Sequence, residues 1–190
     1  MMVFWDQRLV FLATPKTGST AIETALEGLA SFSLLRPRAA RHTDARQYRR
    51  YLAPYLASAA GAEFTAVALM REPLDWLGSW YRSQEEDAVE EVDFDRFVRD
   101  HLADPPPAHA DVGSQGRFLG HPDRAVDRIF AYEDIDRFVA FLEDRLDCEI
   151  TLPRVNVSRE RPLDVDPETV ARHRAHAVED YALWERLRGG

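Results

Sequence analysis

The feature that most constrains this chain is a continuous apolar run, Leu9-Val10-Phe11-Leu12-Ala13, that stops at Thr14-Pro15-Lys16-Thr17-Gly18-Ser19-Thr20. A short apolar run with no polar residue at alternate positions suits a strand buried on both faces. Beyond the loop, Ile22, Ala25, Leu26 and Leu29 recur at helical spacing. Strand, loop and helix within about 20 residues make the opening half of a βαβ unit. Such a unit requires a parallel partner strand later in the chain and helices to cover both faces of the sheet.

The rest of the sequence supplies them. Phe64–Met70 (FTAVALM) and Val126–Tyr132 (VDRIFAY) read as further strands, and Ser31–Leu35 as a weaker one. Asp44–Ala60 reads as a helix with Tyr48, Leu52 and Leu56 on one face, ended by Gly61. Pro73 suits a first helical position, so a helix is predicted from there to about Arg82. Asp93–Leu102 is predicted helical, with Phe94, Phe97 and Val98 inward, and Pro105 begins a loop lasting to about Arg117. Glu85–Glu91 is an acidic, solvated stretch. Asp134 is placed to cap an amphipathic helix carrying Ile135, Phe138, Val139, Leu142 and Leu146. Pro167–Leu187 reads as one terminal helix that buries Ala177, Tyr181, Trp184 and Leu187. Alternating strands and helices predict an α/β architecture with a parallel sheet covered on both faces.

Composition narrows the function classes. At 190 residues, with 45% hydrophobic and 11% aromatic content, the chain reads as one ordered domain. A formal charge of −9 argues against a general nucleic-acid binder. The single cysteine, Cys148, allows no internal disulfide and reads as a buried thiol in a reducing compartment. No segment reaches the roughly 18 apolar residues of a membrane span, and Asp6, Gln7 and Arg8 interrupt the only N-terminal apolar stretch. These features predict a soluble, cytoplasmic protein. Lys16 is the only lysine among 24 basic residues, which makes its position in the loop conspicuous.

The loop is compared most usefully with the phosphate-binding pattern G-x-x-x-x-G-K-[ST]. In that frame Gly18 holds the second glycine slot and hydroxyls follow it, while Ser19 stands where lysine is expected and Lys16 sits two residues before the glycine. The anion-binding physics survives: first-turn amides and the helix dipole favour a negative group, and Gly18 permits close approach. The shifted lysine weakens the case for a magnesium–nucleoside triphosphate.

Pro15-Lys16-Thr17-Gly18-Ser19-Thr20, between a buried strand and a helix, resembles the 5′-phosphosulfate loop of the sulfotransferases that use 3′-phosphoadenosine 5′-phosphosulfate (PAPS). That family carries a second element after a later strand, an arginine followed about eight residues on by a serine. Arg71 and Ser79 match that spacing. Phe130–Asp134 is similar to the family's Tyr-Glu-Asp at a strand end, and Leu152–Ser158 to its proline–asparagine–serine stretch. The resemblance spans roughly residues 9–187. It implies a P-loop NTPase-like three-layer fold with a central parallel sheet flanked by helices, and transfer of a sulfuryl group to a hydroxyl or amine of a small-molecule or glycan-type acceptor, leaving adenosine 3′,5′-bisphosphate (PAP). It implies Pro15, Lys16, Thr17, Gly18, Ser19 and Thr20 at the 5′ end of the donor, Arg71 and Ser79 at its 3′-phosphate, Lys16 as the catalytic cation, and no metal. The chain is shorter than most members.

The acceptor needs a general base. His42 is the first choice, since its ordinary pKa near 6.5 suits the task and neighbouring arginines favour its neutral form. Glu23 and Glu27, on the first helix, are rivals read otherwise as solvated charges. The arginines from Arg36 to Arg50 read as a solvated helix face or as an attraction for an anionic ligand. Arg159 and Arg161 are candidates to close over the nucleotide. His173 and His176, three apart on a helix, read as surface histidines rather than metal ligands, and His109 and Asp111 as loop residues. Two other functions remain open at this level: a nucleotide-dependent kinase of P-loop type, and a non-catalytic nucleotide-binding relative.

Overall fold

A computed structural model describes residues 1–84, 92–121, 126–154 and 161–189. The acidic stretch at 85–91, the Val155-Asn156-Val157-Ser158 part of the later motif, and Arg159 lie outside them.

The described chain is a mixed α/β structure around a five-stranded sheet of order β3-β1-β2-β4-β5. The strands are β1 (Met2–Phe4), β2 (Leu9–Leu12), β3 (Phe32–Ser33), β4 (Thr65–Met70) and β5 (Arg128–Ala131). β2, β4 and β5 are parallel, with Leu12 opposite Ala68 and Met70 opposite Ala131. This half matches the sequence-based expectation. The other half corrects it, because β1 runs antiparallel to both β2 and β3. The Met1–Trp5 run, broken at Asp6-Gln7-Arg8, is one arm of a hairpin. Its turn closes through the Arg8 amide, which donates to the Trp5 carbonyl at 3.1 Å with Arg8 at φ 51°.

Strand pleating sorts the core. Val3, Val10, Leu12, Ala66, Ala68 and Met70 share one cluster with Tyr48 and Leu56, whereas Phe4, Leu9, Phe11, Val67 and Leu69 share another with Ile22, Leu26, Phe138 and Leu142. Alternate residues of one strand therefore enter different cores, the mark of a sheet covered on both faces. A third cluster joins Trp76, Leu77 and Tyr81 to Phe94, Phe97 and Val98.

The helices follow local chemistry closely. α1 (Ser19–Leu26) starts at Gly18 and stops earlier than its apolar spacing predicts, leaving Leu29 half exposed. α2 (Arg38–Arg41) is a single turn. Asp44 forms a capping box with Gln47 at the start of α3 (Ala45–Gln47). The helix predicted from there is interrupted by a π-helical turn, Tyr48–Leu52, before α4 (Ala53–Ala60). Pro54 explains the interruption: it has no amide to offer the carbonyl four residues back, so the register loosens where its ring arrives. α5 (Pro73–Arg82) has the predicted bounds, its first turn capped by the Glu72 carboxylate accepting from the Asp75 amide at 2.7 Å. α6 (Phe94–His101) is capped by Asp93. α7 (Gln115–Leu119) lies where a loop was expected.

A 3-10 turn (Tyr132–Asp134) joins β5 to α8 (Ile135–Leu146). Asp134 does not cap α8 with its side chain. It accepts instead from Arg188 Nη1 at 2.6 Å. The single terminal helix becomes α9 (Pro167–His176) and α10 (Val178–Arg188), with the break at Ala177. That break brings the His173 and Tyr181 rings together at 5.6 Å, burying both. His173 is thus a core histidine, correcting its reading as a surface residue.

Candidate active site

Parallel β2, β4 and β5 end at one edge of the sheet, so the loops that follow them converge there, the usual place for a ligand in an open α/β sheet. The Thr14–Thr20 loop follows β2. Thr17 is fully buried and its hydroxyl donates to the Thr14 carbonyl at 2.9 Å, bracing the loop from inside. Lys16 (φ 64°) and Gly18 (φ 70°) both take left-handed backbone, which turns the chain sharply into α1. The Ala21 and Ile22 amides of α1 donate to the Gly18 carbonyl, which leaves the amides of Ser19 and Thr20, ahead of them, outside the intrahelical ladder.

The loop after β4 carries Arg71. Gln115, wholly buried, clamps its backbone twice, accepting from the Arg71 amide at 2.8 Å and donating to its carbonyl at 2.7 Å. The guanidinium carbon lies 5.1 Å from the Tyr132 ring centroid, and Nε is buried without a hydrogen-bond partner. Ser79 is buried two turns into α5.

The loop after β5 connects the other two. A Cβ on Gly18 would stand 2.9 Å from Tyr132 Cε2, so Tyr132 touches both the first loop and Arg71. Glu133 accepts from the Glu72 amide at 2.7 Å and from Trp184 Nε1 at 3.0 Å. α5 adds two more ties: Trp76 Nε1 donates to the Pro15 carbonyl at 2.9 Å, and Lys16 Nζ lies 4.7 Å from the Trp80 ring centroid. The two sequence motifs, far apart along the chain, are thereby neighbours.

Pro15, Lys16, Ser19, Thr20 and His42 line one open cleft of about 470 Å³ with Leu35, Arg36, Arg38 and Arg41. Burial, and then the charge of Arg38, lower the Lys16 ammonium to a pKa of about 8. His42 Nδ1 lies 2.7 Å from the Ala13 carbonyl. A carbonyl only accepts, so Nδ1 carries the proton and the neutral ring keeps Nε2 free to take one. Burial is the largest cause holding His42 below its ordinary pKa, with Arg41 and Arg38 pushing the same way and the Ala13 bond and Glu23 opposing.

Glu23 is not a solvated helix charge. It is buried, accepts from Arg41 Nε at 2.8 Å and lies 3.6 Å from the Met1 amino group. Engaged on both oxygens, it positions Arg41, whose Nη2 donates to the Thr20 hydroxyl at 2.7 Å. Glu27 is exposed. Arg161 packs at the far end of α5, 4.2 Å over the Tyr81 ring, with Nη1 donating to the Tyr81 carbonyl. His109 Nε2 lies 3.2 Å from Asp100, and Cys148 is half-buried.

A wider cleft of about 830 Å³ opens beside Pro73, Trp76 and Leu77, walled also by His101, His173 and Asp180. Of the residues singled out for the donor, Pro15–Thr20, Arg71 and Ser79, none lines it, although Trp76 does. Among the described residues no group of histidine, cysteine and carboxylate side chains is placed to hold a metal ion, and no helix is long and apolar enough to cross a membrane.

Gln115, Trp76 and Trp80 are the site residues that sequence reasoning missed. Gln115 sits in a stretch without periodicity, and nothing in its neighbours marks it as buried. The tryptophans lie in the same helix as Ser79, but an indole carries no anion-binding signal of its own. No family model matches the chain, and neither curated proteins nor solved structures give a match.

Proposed function

We propose that this chain is a sulfotransferase of P-loop-like fold that moves the sulfuryl group of PAPS to a hydroxyl or amine acceptor. The observation that carries the reading is the pair of cation-bearing loops at neighbouring parallel strand ends. Lys16 and Arg71 are joined through Gly18, Tyr132 and α5, and neither pairs with a carboxylate of a described residue. The residues fit a doubly anionic nucleotide. Arg71 keeps a buried Nε without a partner, and its forked guanidinium suits an anion such as a phosphate.

When bound, the donor supplies the sulfuryl group and a bisphosphate leaving group. This chain's residues do the rest. Lys16 and the first-turn amides of α1 hold negative charge as it grows on the 5′-phosphate. Arg71 and Ser79 anchor the 3′-phosphate and set the register of the nucleotide. His42 Nε2 takes the proton that the acceptor oxygen or nitrogen loses as its bond to sulfur forms.

The test combines binding and turnover. Titration calorimetry should show PAP binding that Arg71→Ala weakens at least tenfold. Labelled PAPS with an acceptor panel should show transfer that Lys16→Ala lowers a hundredfold or more. Equal transfer by that variant refutes the role of Lys16. Thermal stabilisation by ATP with magnesium and none by PAP replaces the reading with a kinase. PAP binding without turnover on any acceptor replaces it with a non-catalytic nucleotide binder.

A further inference from the structure

The Lys16 cleft holds more positive charge than the donor needs. Lys16, Ser19 and the α1 amides serve the 5′ end of the nucleotide, and Arg71 with Ser79 serves the 3′ end. Arg41 is neutralised by buried Glu23. Arg36 and Arg38 remain, both on the cleft wall. Neither forms an ion pair with any carboxylate of a described residue, although acidic residues outnumber basic ones 33 to 24 in the chain. Among the described residues no carboxylate lines this wall.

The arrangement is also electrostatically uphill. The Arg38 guanidinium carbon lies 5.4 Å from the same Trp80 ring centroid that Lys16 Nζ approaches at 4.7 Å. Two like charges on one indole repel, and the repulsion is relieved when an anion sits between or beside them. Arg36 and Arg38 belong to the segment that ends in His42, so a group held by the arginines is delivered alongside Nε2 of the base.

We infer that the acceptor is a small molecule bearing a carboxylate, sulfate or phosphate, which Arg36 and Arg38 grip while its hydroxyl or amine faces His42. The inference rests on the sulfotransferase reading. The cleft of about 470 Å³ is shared with the 5′ end of the donor, and the part beside Arg36 and Arg38 suits a small hydroxy acid or a single acidic sugar.

The experiment has three arms on the full chain. PAP affinity is measured first, for wild type and for the double variant Arg36→Gln/Arg38→Gln. Sulfate is then titrated onto both proteins saturated with PAP, against chloride at matched ionic strength. Transfer is last compared within pairs that differ only in charge, 4-hydroxybenzoate against 4-hydroxybenzamide and glucosamine 6-phosphate against glucosamine. The expected result is PAP affinity unchanged within threefold, a sulfate-dependent rise in melting temperature lost in the double variant, and at least a tenfold preference in kcat/KM for the charged member of any pair turned over, abolished in the variant. A tenfold loss of PAP affinity assigns both arginines to the donor and overturns the inference alone. So does the absence of a sulfate-dependent rise in wild type, or equal use of neutral acceptors. Failure of wild type to bind PAP overturns the underlying reading, and this inference with it.

Discussion

Gly18→Ala separates two physical costs at one position. Gly18 has φ 70°, a backbone region that costs a residue with a Cβ about 1–2 kcal/mol. The new methyl would also stand 2.9 Å from Tyr132 Cε2, inside the roughly 3.5–4.0 Å of a relaxed carbon contact. Tyr132 cannot retreat freely, because the Arg71 guanidinium lies against its ring. Overpacking of this kind costs about 1–3 kcal/mol. The sum is about 2–5 kcal/mol, a fall in Tm of about 4–20 °C for a chain of this length. Gly61→Ala is the internal control, since Gly61 has φ 66° and open space where a Cβ would go. It should lose about 1–2 kcal/mol and no more. Urea unfolding of both variants, alone and in a Tyr132→Ala background, isolates the clash as a coupling energy. The substitution in the loop should also displace Tyr132 from Arg71 and weaken PAP binding at least tenfold. If Gly18→Ala costs no more than Gly61→Ala, or costs the same with and without Tyr132, the bridge from loop to arginine is wrong.

Three further outcomes follow from the same geometry. The pH dependence of kcat/KM for the donor should be bell-shaped, rising as His42 loses its proton below pH 6.5 and falling as Lys16 discharges near pH 8; His42→Gln should erase the acid limb, and Lys16→Arg the alkaline limb while lowering the rate. His173 is buried and held to a pKa of about 4, below its unfolded value, so the unfolded chain binds more protons between pH 6.5 and 4 and stability should fall through that window. Acid titration of His173→Gln should show a flatter fall. Glu23→Ala leaves Arg41 and the Met1 amino group facing no carboxylate and should cost roughly 3 kcal/mol in chemical denaturation, with Glu23→Gln milder.

Much of the fold was readable from short-range pattern. The β2–loop–α1 unit, the α5 bounds at Pro73 and Arg82, and the helix starts at Asp44 and Asp93 all rest on chemistry contained within a few residues and appear where expected, whereas the cap expected from Asp134 does not form. The misses differ in reach. The β1–β3 pairing and the turn into α7 depend on residues distant in sequence, Phe32–Ser33 for the first and the Arg71 backbone for the second, whereas the break at Ala177 is spanned by the His173–Tyr181 contact and the π-helical turn follows from Pro54. Leu29 kept helical spacing yet ended outside the helix, because spacing says nothing of where a helix terminates.

The candidate site divides along the same line. Sequence alone determined which residues can meet an anion, because Lys16, Gly18, Ser19 and Arg71 carry that ability in their own donors and backbone freedom. Tertiary structure decided what each is free to do. Packing of α1 against the N-terminal strand buried Glu23 and bound it to Arg41, turning a candidate base into a support. The Ala13 carbonyl chose the tautomer of His42, and Trp80 gathered Lys16 and Arg38 onto one surface. Charge, tautomer and desolvation depend on neighbours brought close by the sheet, and no local pattern encodes which neighbours those are.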